Sequence, residues 1–307
     1  MTVRRVCIGQ AQGFDVHTLD AGRPGPRMAV LGGVHGDEVE SVVAAQRIAT
    51  SSLALRAGRL DLVPICHEAA LAADSRTSPL DGGDLARSFP GAAAGSPTER
   101  LAHHLVREVL DGADLVIDVH TSGRQFDMPF VAGYCAPVAS DRCLAAAAAA
   151  AVGAEFVWRH PLCPDGRSIS VVPQGIYLEG PGYGPMDMGL VDRYTEGIGR
   201  VLAVAGLVDP HPYGERGSPV RVTGGGDLDR DGIRADRAGY FVPSVVAGQP
   251  CAPGDVVGQI HDIAGRWQTD VHAPVGGFVM ALTRRRQIAA GELLACLASS
   301  DSPVVAP

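Results

Sequence analysis

Short apolar runs alternate with stretches of helical period through the first two thirds of this 307-residue chain, and that alternation restricts its fold more than any other feature. Residues 28–34, Met-Ala-Val-Leu-Gly-Gly-Val, form an apolar run closing on glycines, the pattern of a buried strand feeding a loop. From about Asp37 to Thr50 the residues Val39, Val42, Val43, Ala45 and Ile48 recur on one helical face. Residues 59–65 read as a second strand, and 114–119 as a third that stops at His120. Between them Ser96-Pro97-Thr98-Glu99 is a capping box with proline at the first helical position, opening a helix to about Leu110. An alanine-rich helix over 144–152, a strand over 168–178 and a helix over 187–206 complete the series. Strands alternating with helices predict an α/β fold with its loops gathered at one edge of the sheet.

The pattern changes after Asp209-Pro210. From Gly217 onward the chain carries short β-branched stretches separated by Gly, Pro and Asp, without a long helical period. The stretches 245–250, 253–258 and 273–278 read as hairpin turns of a small β-barrel or sandwich. The division falls at residues 1–211, the α/β domain, and 212–307, a β-rich domain.

Composition excludes several function classes. All 26 basic residues are Arg, since the chain has neither Lys nor Asn. Schiff-base and pyridoxal chemistry, the P-loop lysine and lipoyl or biotinyl attachment are therefore ruled out. The net charge is −8, and the only basic cluster is Arg284-Arg285-Arg286, so no nucleic-acid surface is expected. No run reaches the roughly 18 apolar residues of a membrane span, and no signal-type apolar core follows the first residues. Seven cysteines, odd in number and without a C-x-x-C, fit a reduced, cytoplasmic chain.

Three places can carry chemistry. In Gly32-Gly33-Val34-His35-Gly36-Asp37-Glu38 an imidazole and a carboxylate stand three residues apart at a strand-to-helix corner, both donor types that Zn²⁺ accepts. His120 closes the strand ending Asp118-Val119-His120, at the sheet edge where α/β proteins bind ligands. Together His35, Glu38 and His120 make a two-His-one-carboxylate set with a position left for water. Glu179, closing an apolar strand before Gly180-Pro181-Gly182, is a candidate general base. Other motifs are decoys. His67-Glu68 is no H-E-x-x-H, because Leu71 occupies the second histidine's place. Asp227, Asp229 and Asp231-Gly232 open like a calcium loop, but Ala238 stands where the chelating Glu belongs, and an exposed turn is the better reading. His103 and His104 are adjacent in a helix and point different ways.

The ordered set G-x-H-G-D-E, D-L-x-R-x-F-P-G, D-x-H-T and a strand-borne Glu-Gly resembles the succinylglutamate desuccinylase/aspartoacylase family, a branch of the zinc carboxypeptidase superfamily. The similarity spans nearly the whole chain. It implies a carboxypeptidase-like mixed sheet flanked by helices with an appended β-rich domain, and one Zn²⁺ per chain held by His35, Glu38 and His120. By the same resemblance Glu179 is the base that activates water and later protonates the leaving amine. Arg76 matches the oxyanion-stabilising arginine, and Arg87 the arginine gripping a substrate carboxylate. The implied activity is hydrolysis of a small N-acylated amino acid or related amine. Of assembly, the relatives imply a homodimer. Asp118 is read either as support behind the metal site or as a strand-end acid.

Two departures stand out. The family's Asp-Leu-Asn-Arg has Ala86 for Asn, and its Val-Pro-x-x-Asn has His67 for Asn. Substrate recognition is therefore expected to differ while the metal chemistry is kept, with His67 read as a substrate ligand or a packed loop histidine. Two rival readings stay open here: a zinc carboxypeptidase or peptidoglycan-fragment amidase, which needs an open cleft, and a non-catalytic metabolite-binding member.

Overall fold

A computed structural model describes residues 1–9, 12–136, 143–182, 184–210, 218–224, 228 and 231–300. Its centre is a set of parallel strands buried on both faces: β3 (Arg27–Leu31), β4 (Arg59–Val63), β5 (Leu115–Val119) and β9 (Gly175–Glu179). Strand side chains alternate between faces, so a strand covered on both sides must be apolar at every position. β3 shows this directly. Met28 and Val30 enter a core with Ala44, Ala45 and Ile48 of α1 (Val39–Thr50), whereas Ala29 and Leu31 enter the opposite core with Leu101, Ala102 and Leu105 of α3 (Pro97–Leu105). The first core also takes α4 (Leu144–Ala151) and α5 (Met188–Val204).

The sheet is mixed. β1 (Thr2–Ile8) and β2 (Gln12–Asp20) extend it antiparallel beyond β4. On the other side β7 (Val131–Cys135) runs antiparallel to β9 and parallel to β8 (Phe156–His160). The expected boundary at 211/212 lies outside the described residues, but the sheet itself continues past it. β10 (Val220–Thr223) pairs parallel with β8 and antiparallel with β18 (Leu293–Ser300), and β18 pairs with β16 (Gly277–Thr283). A second, four-stranded sheet is built from β12 (Gly239–Pro243), β14 (Val256–His261), β15 (Gln268–His272) and β17 (Gln287–Ile288). Phe241, Val257 and Ile260 from it share one core with Val279, Leu282, Leu294 and Leu297, a sandwich closed by side chains of both sheets.

Several sequence expectations need correction. The strand expected over 168–178 is shorter: Ser168–Ser170 make a single 3₁₀ turn and β9 starts at Gly175. Ser168 Oγ bonds the Asp118 carboxylate and Ser170 Oγ donates to the Arg167 carbonyl (2.7 Å), so local side-chain bonds hold this stretch in a turn. The stretches 245–250, 253–258 and 273–278 are not hairpin turns. They are corners carrying the chain between the two sheets, because β13 (Pro250–Cys251) and β16 belong to the large sheet while β12, β14 and β15 belong to the small one. The hairpin lies instead between β14 and β15, where Asp262 Oδ1 accepts from the backbone of Ala264 and Arg266 and Gly265 takes a φ of 65°. Asp227 and Asp229 lie outside the described residues. All seven cysteines are free thiols, and among the described residues no helix is long and apolar enough to cross a membrane.

The capping box forms as expected. Ser96 Oγ accepts from Glu99 N (3.3 Å) and the Glu99 carboxylate accepts from Ser96 N (2.8 Å), while α3 passes into one wide π-type turn over Val106–Leu110. Ser96→Ala should lower the unfolding free energy by about 1 kcal/mol, measured as a reduced urea midpoint with an unchanged m-value.

Candidate active site

The carboxyl ends of β3, β5 and β9 lie side by side and deliver the candidate residues to one place. The turn after β3 carries His35 and Glu38. Two glycines shape it. Gly33 adopts a φ of 57°, and a Cβ on Gly36 would stand 2.0 Å from the Ala70 carbonyl, so only glycine lets α2 (Glu68–Ala72) approach this closely. Ser41 braces the same turn, donating to the Glu38 carbonyl (2.6 Å) and accepting from Gly33 N (3.0 Å). Glu38 is thereby held at the N-cap of α1, just ahead of its first turn.

The Glu38 carboxylate is the point of convergence. His35 Nδ1 lies 2.8 Å from Oε1, His120 Nδ1 lies 3.0 Å from Oε2, and Thr121 N donates to Oε2 at 3.1 Å. The imidazoles face each other with centroids 4.9 Å apart, and all three side chains are buried. The far ring nitrogens are also anchored, His35 Nε2 3.1 Å from Asp84 Oδ1 and His120 Nε2 3.0 Å from Asp118 Oδ1. Among the described residues, His35, Glu38 and His120 are the one group of three metal-type donors whose ligand atoms lie within 4.8 Å of one another. Both Nδ1 atoms turn toward one carboxylate while both Nε2 atoms rest on others, an arrangement that fixes the imidazoles' tautomer for a shared cation. The residues fit a metal ion.

Electrostatics point the same way. Burial pushes the Glu38 carboxyl up, but the two imidazoles more than offset this and hold it below the ordinary carboxylate range. Burial pulls His120 down, yet Asp118 and Glu38 raise it well above the usual imidazole value. In effect the pocket selects positive charge. Asp84 is likewise held low: burial opposes its ionisation, and the contacts with His35 and Arg76 outweigh that.

Arg76 reaches this cluster, with its guanidinium 3.5 Å from Glu38 Oε1, 3.3 Å from His35 Nδ1 and 3.2 Å from Asp84 Oδ2. Glu179 closes β9 next to His120. Burial raises its carboxyl to about 8, with Glu38 and Asp118 adding and His120 and Arg76 opposing. One buried oxygen, Oε2, has no hydrogen-bond partner within the protein. Arg87 lies on the 3₁₀ turn Leu85–Arg87 that Asp84 caps, with its side chain exposed and a 3.3 Å bond to the Ala86 carbonyl.

His67 is explained by helix capping. Its Nδ1 accepts from Ala70 N (3.3 Å) at the N-cap of α2, a role that asparagine also fills, and leaves Nε2 buried without a partner. Ala86 is buried beside Leu85 and Phe89 in an apolar cluster. Sequence reasoning missed three contributors. Asp84 joins His35 to Arg76, and it stood in the quoted D-L-x-R motif without a role. Arg167, just ahead of the stretch 168–178 expected as strand, donates to the same Ala86 carbonyl as Arg87 (3.0 Å). Tyr177 reaches over Gly133 to His160 (2.6 Å), where a Cβ on Gly133 would overlap its ring. No motif signalled that contact.

The profile of the succinylglutamate desuccinylase/aspartoacylase catalytic domain matches residues 24–205. The chain belongs to this family. A relative from Halomonas elongata, an N-alpha-acetyl-L-2,4-diaminobutyric acid deacetylase, is 30% identical over 291 residues, covering 89% of this chain and 82% of its own. Among solved structures, a succinylglutamate desuccinylase/aspartoacylase from Rhodobacter sphaeroides superposes with a TM-score of 0.83 at 24% identity, over 96% of this chain and 94% of the other. The product-bound ectoine utilization protein of Ruegeria pomeroyi gives 0.82 at 25% identity, over 97% and 95%.

His67 supplies a pH test. Burial lowers its pKa to about 4, whereas an unfolded histidine titrates near 6.5. Between those values the unfolded chain binds more protons, so this residue's contribution weakens as pH falls from 6.5 to 4, by on the order of 3 kcal/mol in full. His67→Asn keeps a cap and removes the titration. Urea unfolding should then show the variant losing less stability than the parent across that window.

Proposed function

We propose that the protein is a zinc-dependent amidohydrolase that removes an acyl group from the amine of a small N-acylated amino acid. The observation that carries the reading is the buried meeting of the His35–Glu38–His120 donor set with Arg76 and with the partnerless oxygen of Glu179. His35, Glu38 and His120 would hold one Zn²⁺ per chain. When bound, the ion supplies Lewis acidity, lowering the pKa of water and polarising an amide carbonyl. Asp84 and Asp118 orient the imidazoles for it.

In this reading Glu179 takes the proton of the attacking water and delivers it to the departing amine nitrogen. Its buried carboxylate suits both steps, because burial keeps its proton affinity near that of a base working around neutral pH. Arg76 stabilises the charge that develops on the carbonyl oxygen, and its contacts with Asp84 and Glu38 pre-set its direction. Arg87 grips a carboxylate of the substrate, aided by a planar guanidinium that matches that group. The asparagine missing at Ala86 removes one neutral donor from this end of the site. His67, which caps α2, still presents an unpartnered Nε2 and can assist as a minor substrate contact.

The assigned division places this chemistry in residues 1–211 and leaves 212–307 to border the entrance. By analogy with the family, that second part narrows the entrance and so favours small substrates over peptides. The acetylated diamino acid of the Halomonas relative is the first substrate to try. No nucleic-acid or membrane partner enters the reading; it places a homodimer in the cytoplasm.

Three measurements test this. The purified enzyme, offered Nα-acetylated amino acids that include Nα-acetyl-2,4-diaminobutyrate alongside a set of dipeptides, should release acetate and spare the dipeptides. Preferential dipeptide cleavage would reverse the substrate assignment. Glu179→Gln should keep one zinc per chain by elemental analysis and lose hydrolysis by at least about a hundredfold, whereas near-parental turnover would remove Glu179 from its role. Arg76→Ala should lower kcat about a hundred- to a thousandfold with zinc content unchanged.

A further inference from the structure

α5 crosses behind the strand ends and sends one polar group toward the site. Tyr194 is fully buried, and its hydroxyl donates to the backbone carbonyl of His120 at 2.6 Å. The ring is fixed edge-on against Phe130, with centroids 5.3 Å apart. The same hydroxyl is pressed against the next strand end, since a Cβ on Gly180 would stand 2.7 Å from it. Gly180 directly follows Glu179. The two strand ends are themselves tied together, His120 N donating to the Leu178 carbonyl (2.9 Å) and Ser122 N to the Gly180 carbonyl (3.0 Å). One phenol oxygen therefore abuts both the segment carrying His120 and the segment carrying Glu179. Burial raises the Tyr194 pKa well above its ordinary value, so the group stays a neutral donor.

We propose that Tyr194 is a positioning residue that sets His120 and Glu179 in register with each other through the His120 carbonyl and the backbone of Gly180. The inference rests on the metal-site reading above. A buried hydroxyl with one acceptor has a single direction, and it adds a tie from α5 to strand-end segments that are otherwise held by each other and by the bond from Thr121 N to Glu38. Removing the oxygen leaves the His120 carbonyl without this donor and opens space beside Gly180. The imidazole of His120 and the carboxylate of Glu179 then lose their common reference point, although neither side chain is touched.

The test is Tyr194→Phe, which deletes one oxygen and keeps the ring. Zn²⁺ affinity is read by competition with a chromophoric chelator, the Co²⁺-substituted visible spectrum reports ligand geometry, and thermal melting of the metal-free protein reports folding. Zn²⁺ affinity should fall about tenfold, as for other groups that support a metal ligand from behind, with a changed Co²⁺ spectrum. At saturating zinc kcat should fall while KM stays within twofold. Phe130→Leu is the packing control, expected to lower the melting temperature without moving zinc affinity. Unchanged affinity and spectrum in Tyr194→Phe, or an equal loss of affinity in Phe130→Leu, would overturn the proposal. Should Tyr194→Phe fail to fold, Gly180→Ala sets a methyl against the hydroxyl and pushes it from the strand side with the tyrosine intact: weakened zinc binding supports the proposal and unaltered binding overturns it. A parent protein that binds no zinc would defeat the metal-site reading instead, so the two failures are distinguishable.

Discussion

Everything in the site hangs on the carboxylate of Glu38. It is buried, and a buried carboxylate without partners would carry a desolvation cost too large to keep its charge. Here two imidazoles, a backbone N–H and a guanidinium approach its two oxygens from different parts of the chain. Each approach depends on a separate element. The β3 turn needs Gly33 and Gly36, His120 needs β5 to end where it does, and Arg76 needs the segment after α2 to fold back. The sheet serves the site by aligning three strand ends, and both apolar cores exist to fix that alignment.

A second ring of carboxylates extends the same logic. Asp84 and Asp118 stand behind the imidazoles, and each is itself tied down: Asp84 by the backbone of Ala86 (2.9 Å) and by Arg76, Asp118 by Ser168. A metal site with anchored ligands reorganises little when it binds its ion, and that rigidity is what an electrostatic catalyst requires. Neither position where the resemblance leads to expect asparagine contributes to this scaffolding: His67 caps a helix and Ala86 lies in an apolar cluster.

The parts legible in the sequence were those governed by local periodicity and capping. β3, β5 and the Ser96–Glu99 box follow from apolar runs and side-chain reach, and each stands where the sequence placed it. His35 and Glu38 were legible as donors because they stand in the turn after one apolar run, and His120 because it closes another, but their meeting depends on strand order, which no local pattern encodes. The corners at 245–250, 253–258 and 273–278 carry the same Gly and Pro signals as hairpins, since a turn residue reports only that the chain bends and not which sheet receives it. The 168–178 segment misled for a related reason: its Ser side chains bond Asp118 and the Arg167 carbonyl, and one of those contacts is distant in sequence. Asp84 meets His35 and Tyr194 meets the His120 carbonyl across long stretches of sequence, and such contacts leave no periodic trace.

The central claim is that one metal ion sits among His35, His120 and Glu38. Diffraction from crystals of the zinc-loaded protein, collected on both sides of the zinc absorption edge, addresses it most directly. The account predicts a single strong anomalous peak per chain, bounded by the Nδ1 atoms of His35 and His120 and by the Glu38 carboxylate. An anomalous peak elsewhere, or none at all with both imidazoles still closed on Glu38, would contradict it.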